Sequence, residues 1–138
     1  MGLILDTSVL IESERRYEAI EDILLRIRAT QGEIDIGLSS VSVVELTHGI
    51  YRARTAAESN RRRIFAENVF RDLIVYPVTL QIAQLAGQIE GEQAARGIRI
   101  GFEDLVIGAT AMHLDFDVAT LNVKHFEKIP GLRIVALE

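Results

Sequence analysis

The stretch Leu3-Ile4-Leu5-Asp6-Thr7-Ser8-Val9-Leu10-Ile11 decides the fold. Residues 3–6 read as a short buried strand, an apolar run without polar alternation, as expected where helices cover both faces of a sheet. Thr7 or Ser8 then offers an N-cap to a short helix through Val9, Leu10 and Ile11. A buried strand running straight into a helix, with a carboxylate at the junction, is the opening of an α/β architecture.

Working outward, the same alternation continues. A helix is expected over residues 17–29, where Ile20, Ile23, Leu24 and Ile27 share one face. Residues 33–38 alternate Ile34, Ile36 and Leu38 as a second strand. Ser39, Ser40 and Ser42 offer caps to a helix carrying Val43, Val44, Leu46 and Ile50. Residues 56–73 are helical by propensity, 74–76 form a third strand before Pro77, and Thr79 caps a helix through Ile82, Leu85, Ala86 and Ile89. Another helix spans 102–114, a fourth strand 117–121, and a fifth 132–136 at an edge. No repeat, low-complexity tract or linker divides the chain, and 138 residues suit one domain over 1–138. The expected fold class is α/β, with a mainly parallel twisted sheet flanked by helices. Sites in such sheets form at the carboxyl ends of the strands, which is where Asp6 stands.

Composition narrows the chemistry. Hydrophobic residues make up 49%, the apolar end for a soluble domain, and there is no cysteine, which removes disulfides and thiolate metal sites. Neither a signal-peptide pattern nor a membrane-length apolar run is present, so a cytoplasmic location without membrane association is expected. The net charge of −5 argues against a partner held purely by phosphate neutralisation. Positive charge is nonetheless clustered: Arg52 and Arg54 lie near Arg61, Arg62 and Arg63. Taken alone, the triple arginine reads as a solvated helix face.

Three carboxylates sit among apolar neighbours: Asp6, Glu45 within Val43-Val44-Glu45-Leu46, and Asp104 before Leu105-Val106-Ile107. Each has a plain explanation. Asp6 could cap the following helix, Glu45 pair with an arginine, and Asp104 complement the positive end of its helix. All three together point to one shared compensator, a divalent cation, because carboxylates crowded around a cavity otherwise repel one another and raise each other's pKa. An all-oxygen set favours Mg²⁺ or Mn²⁺ over zinc. Spacing alone leads no further than an acidic metal site in an α/β domain. Glu103, about 100 degrees from Asp104 around a helix, is at most a secondary ligand. No partner is evident for His113 or His125, and Glu45 and His48 form a lone Glu-x-x-His step with no second copy.

Leu5-Asp6-Thr7-Ser8-Val9-Leu10-Ile11 resembles the opening of PIN domains, and Ser42-Val43-Val44-Glu45-Leu46-Thr47-His48-Gly49 resembles their second acidic motif. Residues from Phe102-Glu103-Asp104-Leu105 through Ala111 resemble the third. Ala119-Thr120-Leu121-Asn122-Val123-Lys124-His125-Phe126, followed by Ile129-Pro130-Gly131-Leu132, is similar to the C-terminal signature of VapC-type toxin ribonucleases. Four motifs in order span nearly the whole chain.

The resemblance implies a PIN-like three-layer domain acting as a metal-dependent endoribonuclease, the toxin of a toxin–antitoxin pair, leaving 5′-phosphate and 3′-hydroxyl ends on RNA. It assigns Asp6, Glu45 and Asp104 as metal ligands for Mg²⁺, with Mn²⁺ as the other candidate. Asn122 stands where some PIN domains carry a fourth acid, and would support the site or else cap the short helix after it. Thr120 would orient Asp6 or Asn122. The implied partners are RNA, contacted by Arg52, Arg54, Arg61, Arg62 and Arg63, a VapB-like protein antitoxin, and a second copy in a homodimer. The alternatives are a catalytically degenerate PIN or receiver-like module that binds RNA or protein, and an aspartyl phosphotransferase. The latter is disfavoured by Ser8, where a second aspartate would be wanted.

Overall fold

A computed structural model describes residues 1–137. In chain order the elements are β1 (Gly2–Leu5), α1 (Thr7–Arg15), α2 (Ile20–Gln31), β2 (Asp35–Ser39), α3 (Ser40–Tyr51), α4 (Ala56–Asp72), β3 (Ile74–Tyr76), α5 (Leu80–Ala94), α6 (Phe102–Leu114), β4 (Asp117–Thr120), α7 (Val123–Phe126) and β5 (Ile134–Ala136). The five strands form one sheet in the order β3-β2-β1-β4-β5, parallel in every pairing. Glu138 lies outside the described residues.

Alternation along the strands divides the core into two layers. Leu3 and Leu5 of β1, Ile36 and Leu38 of β2 and Ala119 of β4 pack on one side with Ile20, Ile23, Leu24 and Ile27 of α2 and Val69 of α4. Ile4 and Val118 face the other way, onto Ile82, Ala86 and Ile89 of α5 and Leu105 and Ile107 of α6. The apolar stripe of α2 is therefore core and not an association surface. A sheet between two helix layers explains why β1 is apolar at every position.

Several boundaries differ from expectation, each for a local reason. The second helix starts at Ile20 and not at Tyr17, because Tyr17 adopts φ 59°, a left-handed conformation incompatible with a helix interior. Asp6 follows β1 and does not end it, and it takes the N-cap position of α1 in place of Thr7 or Ser8. The fourth strand stops at Thr120, where the Thr120 hydroxyl accepts the Asn122 backbone N–H at 2.8 Å and turns the chain into α7. The fifth begins at Ile134, beyond the turn at Gly131, φ 82°. Ser39 caps α3, and Thr55 and Thr79 cap α4 and α5.

The strand order positions the site. From β1 the chain moves outward through β2 to β3, then returns to the opposite side of β1 for β4 and β5. The reversal opens a crevice beyond the carboxyl ends of β1 and β4, the place where open parallel sheets bind ligands. Asp6 leaves one of those strands and Thr120 ends the other. Among the described residues no helix is long and apolar enough to cross a membrane.

Candidate acidic site

Asp6 is 4% exposed, and its side chain makes no cap bond to α1 despite its N-cap position. The carboxylate instead accepts the Ser8 hydroxyl at 2.6 Å and the Thr120 hydroxyl at 2.7 Å, both on Oδ2. The plain reading of Asp6 as a helix cap therefore fails. Two hydroxyls fix one oxygen and leave Oδ1 without a hydrogen-bond partner among the described residues. Thr120 also holds the Asn122 N–H, so one side chain ties the first strand to the fourth and to the start of α7.

Glu45 enters from the middle of α3. Its helix is tied to the end of β1 by a buried bond, Thr7 Oγ1 donating to Ser42 Oγ at 2.7 Å. Thr7 follows Asp6, and Ser42 lies about one turn before Glu45. Asp104 enters from the first turn of α6, with Glu103 beside it. Asp6, Glu45, Glu103, Asp104, Asn122 and His125 all line one pocket of about 450 Å³. The topology thus brings together the three predicted carboxylates and Asn122, with Thr120 behind Asp6. Asn122 occupies the N-cap position of α7 without a side-chain cap bond and lines the pocket.

Two further residues join them. Glu103, expected to be at most a secondary ligand, lines the same pocket as Glu45 and Asp104 from the first turn of α6. It is pushed up from the ordinary carboxylate range to about 7, first by its hydrogen bond to Glu45, then by burial and by the charges of Glu45, Asp104 and Asp6. His125, expected to lack a partner, places Nδ1 at 3.3 Å from Asp104 Oδ2. Its signal lay in the spacing from Asn122, one turn of a short helix, which carries both residues to one side. Asp104 is raised chiefly by burial, then by the charge of Asp6, with Glu45 adding to the rise and His125 partly offsetting it.

The donor set fits a hard divalent cation. Its carboxylates, which line one pocket, are the hard oxygen donors that such a cation takes. Among the described residues no three of these side chains are drawn into a closed ligand cage.

The five candidate arginines divide. Arg62 pairs with Glu58 and donates to the Gly49 carbonyl at 2.6 Å, with the buried Glu14 at 3.8 Å. Arg61 lies 3.3 Å from Glu14 and stacks over Tyr17, its guanidinium carbon 4.7 Å from the ring centre. Both are held by internal partners that fasten α4 to α1 and α3. Arg63 bonds to Asn60 and Ser59 along its own helix. Arg52 and Arg54 are exposed and line a second groove beside the acidic pocket.

A parallel sheet between helix layers, with carboxylates from the β1–α1 junction, α3 and α6 meeting at its switch point, defines an α/β domain with an acidic site. The sequence profile of the PIN domain matches residues 3–132, and the chain belongs to that family. It is similar to Ribonuclease VapC10 of Mycobacterium tuberculosis, 35% identical over 131 residues, covering 95% of this chain and 90% of the relative. It is also similar to a Ribonuclease VapC of Rickettsia bellii, 28% identical over 137 residues, covering 99% and 97%. Among solved structures, a DNA-bound VapBC from Salmonella typhimurium superposes with a TM-score of 0.84 at 28% identity, covering 99% of this chain and 98% of that one.

Proposed function

We propose that this chain is a Mg²⁺- or Mn²⁺-dependent endoribonuclease and the toxin of a cytoplasmic toxin–antitoxin pair. The observation that carries the reading is the convergence of Asp6, Glu45 and Asp104 on one pocket in a chain of the PIN family. Relatives named as VapC ribonucleases, matched over almost their full length, support the same activity.

Asp6, Glu45 and Asp104 would hold the cation, with Glu103 as a further carboxylate beside them and Asn122 as a neutral supporting group. Such a cation, when bound, would supply charge for a phosphodiester's non-bridging oxygen and would acidify a water, consistent with 5′-phosphate and 3′-hydroxyl ends. The protein's own contribution is placement. Ser8 and Thr120 fix one oxygen of Asp6, and the Thr7–Ser42 bond sets α3 against β1. Asp104, whose carboxyl is raised chiefly by burial, would help remove a proton from the attacking water, with His125 Nδ1 3.3 Å away to favour its charged form. A VapB-like antitoxin would silence the enzyme by covering the pocket, and two copies would associate as a homodimer.

The test is cleavage of a total RNA pool by antitoxin-free protein in Mg²⁺, in Mn²⁺ and in EDTA, beside Asp6→Asn and Asp104→Asn. Discrete fragments with 5′-phosphates are expected, lost with chelator and reduced at least about a hundredfold by either substitution. Intact RNA in every metal condition with folded protein would leave a binding module in place of an enzyme. Cutting that survives both EDTA and the substitutions would move the site elsewhere.

A further inference from the structure

The acidic pocket has a neighbour. A groove of about 440 Å³ lies between α1, α3 and α4, and its lining shares Ile11, Arg15 and Glu45 with the acidic pocket. The two cavities are thus continuous across the C-terminal end of α1. Arg15 is the one arginine that lines both.

The charges of this groove are not equivalent. Arg62 is neutralised by Glu58 and Glu14. Arg15, Arg52 and Arg54 are exposed and, among the described residues, have no carboxylate within 4 Å. The same lining includes apolar Ile11, Leu46 and Phe65. It also includes Glu14 and Glu58, which pair with Arg61 and Arg62, and Glu45, which it shares with the acidic pocket. Uncommitted guanidiniums beside apolar side chains match a nucleotide, with phosphate on the rim and base against the hydrocarbon. The volume falls within the roughly 300–1,000 Å³ range of small-ligand pockets.

We propose that Arg15 grips the phosphate adjoining the one that is cut, and that this groove holds the neighbouring nucleotide of the RNA strand. The inference rests on the endoribonuclease reading, since it takes the acidic pocket as the place of cutting. A strand whose reacting phosphate lies over carboxylates must leave the pocket through a wall, and Arg15 marks the wall shared with the groove that carries Arg52 and Arg54. Arg52 and Arg54 then hold backbone further out. This arrangement gives an acidic protein a local grip on a polyanion: a single guanidinium beside the cut and two more beyond it.

The experiment uses the full chain in Mg²⁺ with a short labelled RNA containing a cleavage site mapped from the total pool. Arg15→Gln should raise KM roughly tenfold with little change in kcat, the loss of one charge-assisted contact made in ground and transition states alike. Arg15→Lys should recover part of it. The slope of log KM against log salt should fall by about 0.7, one phosphate fewer on a single strand. Replacing the phosphate next to the cut by a neutral methylphosphonate should weaken wild type and leave Arg15→Gln unaffected. Because Arg15 is exposed, the variant should keep the wild-type melting temperature. Wild-type cleavage with an unchanged KM and salt slope in Arg15→Gln overturns this proposal while leaving the nuclease intact. So does a variant that cuts RNA normally but loses affinity for an antitoxin, which gives the groove to a protein partner. Absence of both cleavage and RNA binding by wild type overturns the nuclease reading itself.

Discussion

Thr120 is a fully buried hydroxyl that donates to Asp6 and accepts from Asn122 N–H. Thr120→Val keeps the shape of the side chain and removes both bonds, leaving a 4%-exposed carboxylate short of one donor. Leaving a buried partner unsatisfied costs about 1–3 kcal/mol. Thr120→Val should therefore lower the melting temperature and also weaken Mg²⁺ binding, because Asp6 loses the contact that holds its orientation. Thr120→Ser should restore both. Calorimetric titration of Mg²⁺ separates the effects, and a variant that melts early yet binds Mg²⁺ with wild-type affinity would confine Thr120 to packing. His125 carries a different expectation. It partly offsets the raised pKa of Asp104, so His125→Ala should move the acidic limb of the cleavage pH profile upward and leave the fold unchanged. An unmoved limb would remove His125 from the site.

At the scale of elements, the site depends on how helices are fastened to strand ends. The buried Thr7–Ser42 bond joins the start of α1 to α3 and so relates Asp6 to Glu45. Thr7→Val and Ser42→Ala should each destabilise, while the double variant should cost less than the sum, with a coupling of about 0.5–3 kcal/mol. Urea unfolding of the four proteins measures it, and strict additivity would mean the hydroxyls act separately. These fastenings are what the sequence left unread. The order of strands and helices, the buried β1 and the three carboxylates were legible, because apolar periodicity and misplaced charge are local signals. The Thr7–Ser42 contact was not, since both residues read equally well as helix caps. Arg61 and Arg62 were legible as charge but not as Glu14 clasps, since Glu14 lies in a distant segment brought alongside only by tertiary packing.

For the whole molecule, the gathered carboxylates make stability depend on pH in an unusual direction. Most carboxylates with salt-bridge partners have depressed pKa values in the folded state and stabilise as pH rises. Glu103 is the reverse, raised from an ordinary 4.5 to about 7, with Asp104 raised in the same sense. The folded state then binds protons more tightly than the unfolded one. The contribution of this group is fully present below about pH 4.5 and is lost as pH climbs through about 7. In EDTA the melting temperature of wild type should fall between pH 5 and 7.5 relative to Glu103→Gln, which has no proton to lose. A divalent cation bound by these carboxylates would replace the proton, so Mg²⁺ affinity should rise over the same interval as protons cease to compete. The stabilisation by a hundredfold excess of Mg²⁺ over its Kd is about 2.7 kcal/mol. That gain should be reached at lower Mg²⁺ concentration at pH 7.5 than at pH 5. Scanning fluorimetry across pH, with EDTA and with Mg²⁺, gives both curves at once. A metal-free melting temperature that rises with pH as steeply in wild type as in Glu103→Gln would mean the carboxylates do not share their charge, and the pocket would lose its physical reason to hold a cation.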